Sequence, residues 1–280
     1  MNKESLHRNI VWLASYPKSG NTWCRLFLAK IMYDIQQINN IPIPIYSSKE
    51  MIDPFSDIDI SELPLSELHF LRLEAFKKKS EEKESLFPVK IHDKFVKTCF
   101  NMPFLPFEYT LMAIYIIRNP LDICISLSKH LGNSIDATIQ KMNSPNYMFA
   151  HNHYRYLSQL PQHLDTWSQH VNSWTTQQEV PVYIIKYEDL ICAPHETFSK
   201  LLHKLDIPYS EEQLQNALRF CSFDNLKKQE QQYGFYERSF YTEQFFSTGK
   251  AGYYKEILNS QQIETIIQHH FKIMKQYNYV

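Results

Sequence analysis

The chain has 280 residues, 44% of them apolar, a formal net charge of −1 and five cysteines. That size and apolar fraction suit one large buried core, predicting a single domain over residues 1–280, and near-neutrality excludes a global field for nucleic acid or an anionic membrane. The cysteines (24, 99, 124, 192, 221) form no CxxC pair and fit a reducing compartment. The first residues hold no apolar stretch of signal-peptide length, and the run at 111–117 is too short to span a bilayer, so the expected location is cytoplasmic.

In chain order, residues 11–14 read as a short apolar strand, followed by Ser15-Tyr16-Pro17-Lys18-Ser19-Gly20 and a helix from about 21 to 35 that is apolar on most sides. A strand feeding a helix through Lys18-Ser19-Gly20-Asn21-Thr22 leaves backbone N–H groups unpaired at a positive dipole end, beside a lysine. That arrangement binds a phosphate or sulfate group. Residues 39–64, with prolines 42, 44, 54 and 64, read as a loop-rich excursion of the kind that forms a lid or substrate loop. A helix is predicted over 65–79, then a strand over 86–92 ending at His92, and a connector over 99–110. The continuous apolar run 110–117 has the pattern of a central parallel strand and ends at Arg118. Asn119-Pro120 is a helix start, with Asn as N-cap and Pro at the first helical position, and that helix runs to about 130.

Residues 131–160 hold a short helix (135–142) and a Tyr- and His-rich loop, and 161–177 reads as a helix with Leu164, Trp167, Val171 and Trp174 at core spacing. A strand over 180–186 ends at Tyr187-Glu188-Asp189-Leu190. Helices follow at 194–205, 210–220 and 223–231, then an aromatic loop over 232–252 and a last helix over 260–277. Strands alternating with helices predict an α/β fold of three layers around a central, mostly parallel β-sheet. Ligands of such sheets bind at the carboxyl ends of the strands. Here those ends carry the Lys18 turn, His92, Arg118 and Tyr187, which points to an enzyme acting on an anionic nucleotide. The pairs His151-x-His153 and His269-His270 lack the partners of a zinc site, so no metal is expected.

These residues resemble the cytosolic-type sulfotransferases that use 3′-phosphoadenosine 5′-phosphosulfate (PAPS), most closely the bacterial branch that modifies natural products. Tyr16-Pro17-Lys18-Ser19-Gly20-Asn21-Thr22-Trp23 looks like the family's P-loop-like 5′-phosphosulfate loop. Arg118-Asn119-Pro120-Leu121-Asp122 with Ser126 looks like its 3′-phosphate motif, and Lys90-Ile91-His92 like the segment bearing its catalytic histidine. Tyr187-Glu188-Asp189-Leu190 and Cys221-Ser222-Phe223 resemble the segments around the adenine. The resemblance implies PAPS as donor, 3′,5′-adenosine bisphosphate (PAP) as product and a small-molecule acceptor, sulfated on a hydroxyl or amine.

By that resemblance His92 is the base and Lys18 stabilises the oxygen bridging sulfur and phosphorus. Ser19, Gly20, Asn21, Thr22 and Trp23 hold the 5′ end and the adenine, Arg118 and Ser126 the 3′-phosphate. Tyr187, Ser222, Phe223, Gly249 and Lys250 complete the cofactor site. One departure stands out. The family's Arg-(Lys/Arg)-Gly-x-x-Gly window reads Ser247-Thr248-Gly249-Lys250-Ala251-Gly252 here, with both glycines kept and both basic residues gone. Neutral donors in place of charge-assisted ones imply PAPS binding weaker by about 1–2 kcal/mol, with Lys250 able to supply displaced charge. The dimer motif of some relatives is degenerate between Lys255 and Glu264, so no oligomeric state follows. Loops 39–64, 131–160 and 232–248 would line the acceptor pocket. A P-loop small-molecule kinase shares the strand–loop–helix entry but needs the Gly-x-x-x-x-Gly-Lys-Ser/Thr spacing, absent here. A non-catalytic adenosine bisphosphate-binding protein is the other alternative.

Overall fold

The computed structural model describes residues 8–55, 60, 63–150 and 159–280. The His151-x-His153 pair and parts of the expected loops 39–64 and 131–160 lie outside the described residues. In chain order the elements are β1 (Ile10–Ala14), α1 (Asn21–Tyr33), α2 (Leu65–Glu81), β2 (Phe87–Ile91), β3 (Thr98–Cys99), β4 (Met102–Pro103), β5 (Thr110–Ile117), α3 (Pro120–Leu131), α4 (Ile135–Met142), β6 (Met148–Phe149), β7 (Gln162–His163), α5 (Trp167–Thr175), β8 (Val182–Lys186), α6 (Tyr187–Cys192), α7 (Pro194–Lys204), α8 (Glu211–Phe220), α9 (Phe223–Tyr233), α10 (Tyr254–Ile257) and α11 (Ser260–Gln276). The chain divides into two compact units, one of Met1–Tyr16, Ile43–Tyr115 and Ser144–Ile184, the other of Pro17–Pro42, Ile116–Asn143 and Ile185–Val280.

The first unit carries the sheet, in strand order β2-β1-β5-β8. β1 runs parallel to β2, with Ile10 opposite Phe87 and Ala14 opposite Ile91, and parallel to β5, with Trp12 opposite Ala113 and Ala14 opposite Tyr115. All five residues of β1 are buried, as a strand covered on both faces requires. Trp12, Ala14, Ala113 and Tyr115 share one face by that register. Trp12 meets Phe76 of α2 with ring centroids 6.0 Å apart, and Tyr115 meets Trp174 of α5 at 6.4 Å. Buried Trp12 keeps its indole N–H satisfied on Thr110 Oγ1 at 3.0 Å. The second unit is helical. In it Phe27 of α1 stacks on Phe198 of α7 at 3.8 Å, α1 also packs against α8, and α3 against α4.

The expected alternation of strands and helices is observed, and residues 110–117 and 135–142 form their elements at the expected limits. Four boundaries differ for local reasons. α1 stops at Tyr33 because Asp34 turns left-handed (φ 47°), returns its N–H to Lys30 O and pairs its carboxylate with Lys30 at 2.6 Å. The helix expected from 161 starts at Trp167. Thr166 and Gln169 form a capping box there, and residues 162–163 pair with β6 instead. The connector 99–110 holds the β3–β4 hairpin, whose two-residue turn places Phe100 and Asn101 at φ 53° and 61°. The segment after the last strand is helical at once, as α6.

Candidate active site

Each strand of the sheet is followed in the chain by part of the expected set: β1 by the Lys18 turn, β2 by His92, β5 by Arg118 and β8 by Tyr187. In the second unit the turn bends at Lys18 (φ 68°) and Gly20 (φ 99°), and Gly20 is the N-cap of α1. Glycine brings no capping side chain to the first turn of α1, and a helix N-terminus of that kind suits an anionic ligand. A Cβ at Gly20 would lie 2.6 Å from the Tyr187 ring, so only glycine fits this turn. Ser19 is buried with its Oγ lacking any hydrogen-bond partner. A buried hydroxyl of that kind at a helix N-terminus suits an anionic ligand. Asn21 and Thr22 are buried beside it. The Lys18 ammonium sits 4.1 Å from the centre of the Phe245 ring.

Trp23 donates its indole N–H to Cys221 O at 2.9 Å and meets Tyr187 edge-on, with centroids 6.2 Å apart. Tyr187 lies under the Arg118 guanidinium at 4.1 Å, and burial pushes its phenol pKa up. Arg118 donates from Nη1 to Lys18 O (2.9 Å) and from Nη2 to Lys250 O (3.3 Å), while its buried Nε has no partner. The planar fork that recognises phosphates therefore also ties the Lys18 turn to the Gly249–Gly252 window. Phe223 packs on Gly249 (φ 59°), where a Cβ would come within 2.4 Å of the ring. The Ser222 and Lys250 side chains are exposed. Lys18, Ser126 and Ser247 line a cavity of about 440 Å³.

Four acidic residues organise this unit, two of them (Asp122 and Glu188) inside the quoted motifs and two (Glu230 and Glu237) outside them. Asp122 accepts the N–H groups of Gly252 (2.7 Å) and Tyr254 (2.9 Å), pinning the glycine window to α3. Glu188 accepts from Asn119 N at 3.0 Å and from the Tyr279 hydroxyl at 3.0 Å. Glu230 accepts the N–H groups of Phe245 and Phe246, at 2.6 and 3.0 Å, which fixes the ring beneath Lys18. Glu237 pairs with fully buried Arg25 at 2.5 Å and accepts the Thr22 hydroxyl at 3.3 Å. Arg25 itself is a cation within a helix that is apolar on most sides.

His92 belongs to the first unit, 9% exposed. Its Nδ1 is 2.8 Å from Ser15 O and 3.3 Å from Ser15 Oγ; a carbonyl only accepts, so Nδ1 donates to Ser15 O, and in the neutral form of the ring the lone pair is on Nε2. Its own carbonyl accepts from His170 Nε2 at 2.9 Å, and His170 Nδ1 takes the Tyr115 hydroxyl at 2.8 Å. Desolvation pushes His170 down to about 4, so it stays neutral and acts as a rigid support. Next to His92, Asp93 accepts His163 N at 3.0 Å on Oδ1 while its buried Oδ2 has no partner, and burial raises its pKa. Asp93, Arg72, Leu68, Phe104 and Leu160 line a cavity of about 200 Å³. Arg72 meets it from α2, its Nη2 on His69 and its Nε without a partner. Among the described residues no three His, Cys, Asp or Glu side chains gather as a metal site, and no helix is long and apolar enough to cross a membrane.

A parallel sheet whose first strand runs through a glycine-capped turn into a helix defines an α/β protein whose turn suits an anionic ligand. Sequence comparison narrows this to a family. The family model described as "Sulfotransferase domain" matches residues 8–278, and the chain belongs to that family of transferases. Flavonol 3-sulfotransferase of Flaveria bidentis is 22% identical over 273 residues, covering 93% of this chain and 80% of that protein. Sulfotransferase 1E1 of Homo sapiens is 25% identical over 219 residues, covering 77% of this chain and 65% of that one. In fold, the chain resembles mouse sulfotransferase SULT7A1 complexed with PAP, with a TM-score of 0.63 at 17% identity over 100% of this chain and 91% of the other. It also resembles retinol dehydratase in complex with androsterone and PAP, with a TM-score of 0.61 at 16% identity over 95% and 80% of the two chains.

Proposed function

We propose that the protein moves a sulfuryl group from PAPS to a hydroxyl or amine of a small-molecule acceptor, releasing PAP, and that residues 1–280 act as one sulfotransferase domain. The observation that carries this reading is the turn before α1. Gly20 leaves the helix N-terminus uncapped, the Ser19 hydroxyl is buried without a partner, and Lys18 stands at the edge of a cavity of about 440 Å³ that Ser126 also lines. Backbone N–H groups of this turn hold the 5′-phosphosulfate, and Trp23, Tyr187 and Phe223 supply aromatic surface for the adenine. Ser222 and Gly249 add backbone and hydroxyl contacts beside that surface. Relatives complexed with PAP support the choice of donor.

In the transfer step the acceptor oxygen or nitrogen forms its bond to sulfur as the bond from sulfur to the bridging oxygen breaks. The released electron pair stays on the bridging oxygen, which Lys18 stabilises. The acceptor proton passes to His92 Nε2, the atom left unprotonated by the Ser15 contact. The candidate acceptor space is the 200 Å³ cavity of the first unit, lined by Asp93, the residue after His92, and larger than the ~150 Å³ cavities that admit a benzene ring. A compound of one ring fits it, and one bearing a hydrogen-bond donor satisfies Asp93 Oδ2. A natural-product acceptor in a cytoplasmic setting agrees with the resemblance to the bacterial branch. The test is a panel of small hydroxy and amino compounds incubated with PAPS and followed by mass spectrometry. We expect a mass gain of one SO₃ that His92→Ala abolishes; full turnover by His92→Ala would remove it from the role of base.

A further inference from the structure

By the family resemblance, Ser247 and Thr248 stand where two basic residues would meet the 3′-phosphate, and Lys250, the expected source of displaced charge, does not line the cavity that Ser126 and Ser247 share. The lining of the 440 Å³ cavity includes Lys129 and leaves out Lys250. Lys129 stands three residues after Ser126 on α3, so the two side chains project from one face of the helix. Ser247, one of the two replacements, lines the same cavity. Arg118 does not line this cavity, and each of its Nη atoms gives one N–H to a backbone carbonyl. Lys129 makes no ion pair with any described residue, and its ammonium lies 5.5 Å from the centre of the Tyr253 ring. Asp122 fixes the segment leading into that ring by accepting Gly252 N and Tyr254 N. The Ser239 hydroxyl donates to His130 O at 2.6 Å, joining the end of α3 to the loop that forms the cavity's other wall. Glu243 also faces this space but is exposed, where solvent and salt screen its repulsion.

We infer that Lys129 is the cation for the 3′-phosphate of the donor nucleotide, taking over from the basic pair that Ser247 and Thr248 replace, with Ser126 and Ser247 adding neutral hydrogen bonds. The assignment rests on the reading of the chain as a PAPS-using sulfotransferase. It places on the facing helix the charge that the resemblance puts in the loop at 247–248, so that Lys129 joins Arg118 rather than leaving it the subsite's one cation. Specificity for a 3′-phosphorylated nucleotide then comes from α3.

The test is calorimetric binding of PAP and of adenosine 5′-monophosphate, which lacks the 3′-phosphate, to the wild-type protein and to Lys129→Gln. Loss of one charge-assisted contact should weaken PAP about tenfold and leave adenosine 5′-monophosphate within about twofold. In the Lys129→Gln background, Ser247→Arg should restore PAP affinity by returning a cation from the loop side. PAP affinity unchanged by Lys129→Gln would overturn the assignment while leaving the proposed function standing. An equal loss for both nucleotides would also overturn it, marking Lys129 as a structural residue. A wild-type protein that binds neither nucleotide would instead bring down the proposed function, and the assignment with it.

Discussion

The Arg25–Glu237 pair makes a demanding prediction about what holds the loop at residues 236–237 to α1. Arg25 is fully buried on α1, its Nη2 donates to Glu237 at 2.5 Å and to the Tyr236 hydroxyl at 2.6 Å, and its Nε and Nη1 have no partner. Removing the partner of a buried charge costs about 3–5 kcal/mol because the remaining ion stays desolvated. Glu237→Gln keeps one acceptor oxygen, which returns about 1–2 kcal/mol, so the net destabilisation should be about 2–3 kcal/mol. With an unfolding entropy of about 2 cal/mol/K per residue over 280 residues, that lowers Tm by about 3–5 °C. The assay is thermal and urea denaturation of wild type, Glu237→Gln, Arg25→Met and the double variant. The double variant should recover most of the loss, since it strands no charge. A Tm change below about 1 °C in Glu237→Gln, or simple additivity in the double variant, would refute the idea that a desolvated ion pair fastens this loop to α1.

Other outcomes follow from single contacts. Gly20→Ala places a methyl group 2.6 Å from the Tyr187 ring at φ 99°, and should cost at least about 2 kcal/mol and weaken PAP binding; wild-type Tm and affinity would contradict it. The buried histidine sets an acid limit. His170 titrates at about 4 against the usual 6.5, so between those values the unfolded chain binds a proton that the folded chain refuses. Its contribution is fully present above pH 6.5 and is lost as pH falls toward 4. Between pH 7 and 4.5 the stability loss should shrink by about 2–3 kcal/mol in His170→Asn, measured by urea denaturation at each pH, and an unaltered pH profile would contradict this.

The elements that carry the expected site residues were legible because they are written in short, contiguous stretches. The Lys18 turn, Asn119-Pro120 and the glycines at 249 and 252 are local devices whose spacing implies their geometry, and the strand 110–117 reads from its apolar run alone. What escaped the sequence depends on residues far apart in the chain. Glu230, Glu237 and Asp122 each fasten backbone or side chains between 15 and 215 positions away, and no local period marks them. The same holds for Ser15 and His92, 77 positions apart, whose contact orients the imidazole. The start of α5 was misplaced for a local reason. Leu164 fits the helical spacing of Trp167, Val171 and Trp174, and that period hid the Thr166–Gln169 capping box.

The central claim is that the Lys18 turn and His92 serve sulfuryl transfer. The measurement that tests it most directly offers the protein PAPS, or ATP with magnesium, in parallel against one acceptor panel, with and without a chelator. The account predicts a sulfated product from PAPS, insensitive to the chelator and lost in Lys18→Ala and His92→Ala alike. Phosphorylated product from ATP, abolished by the chelator, with none from PAPS, would contradict it.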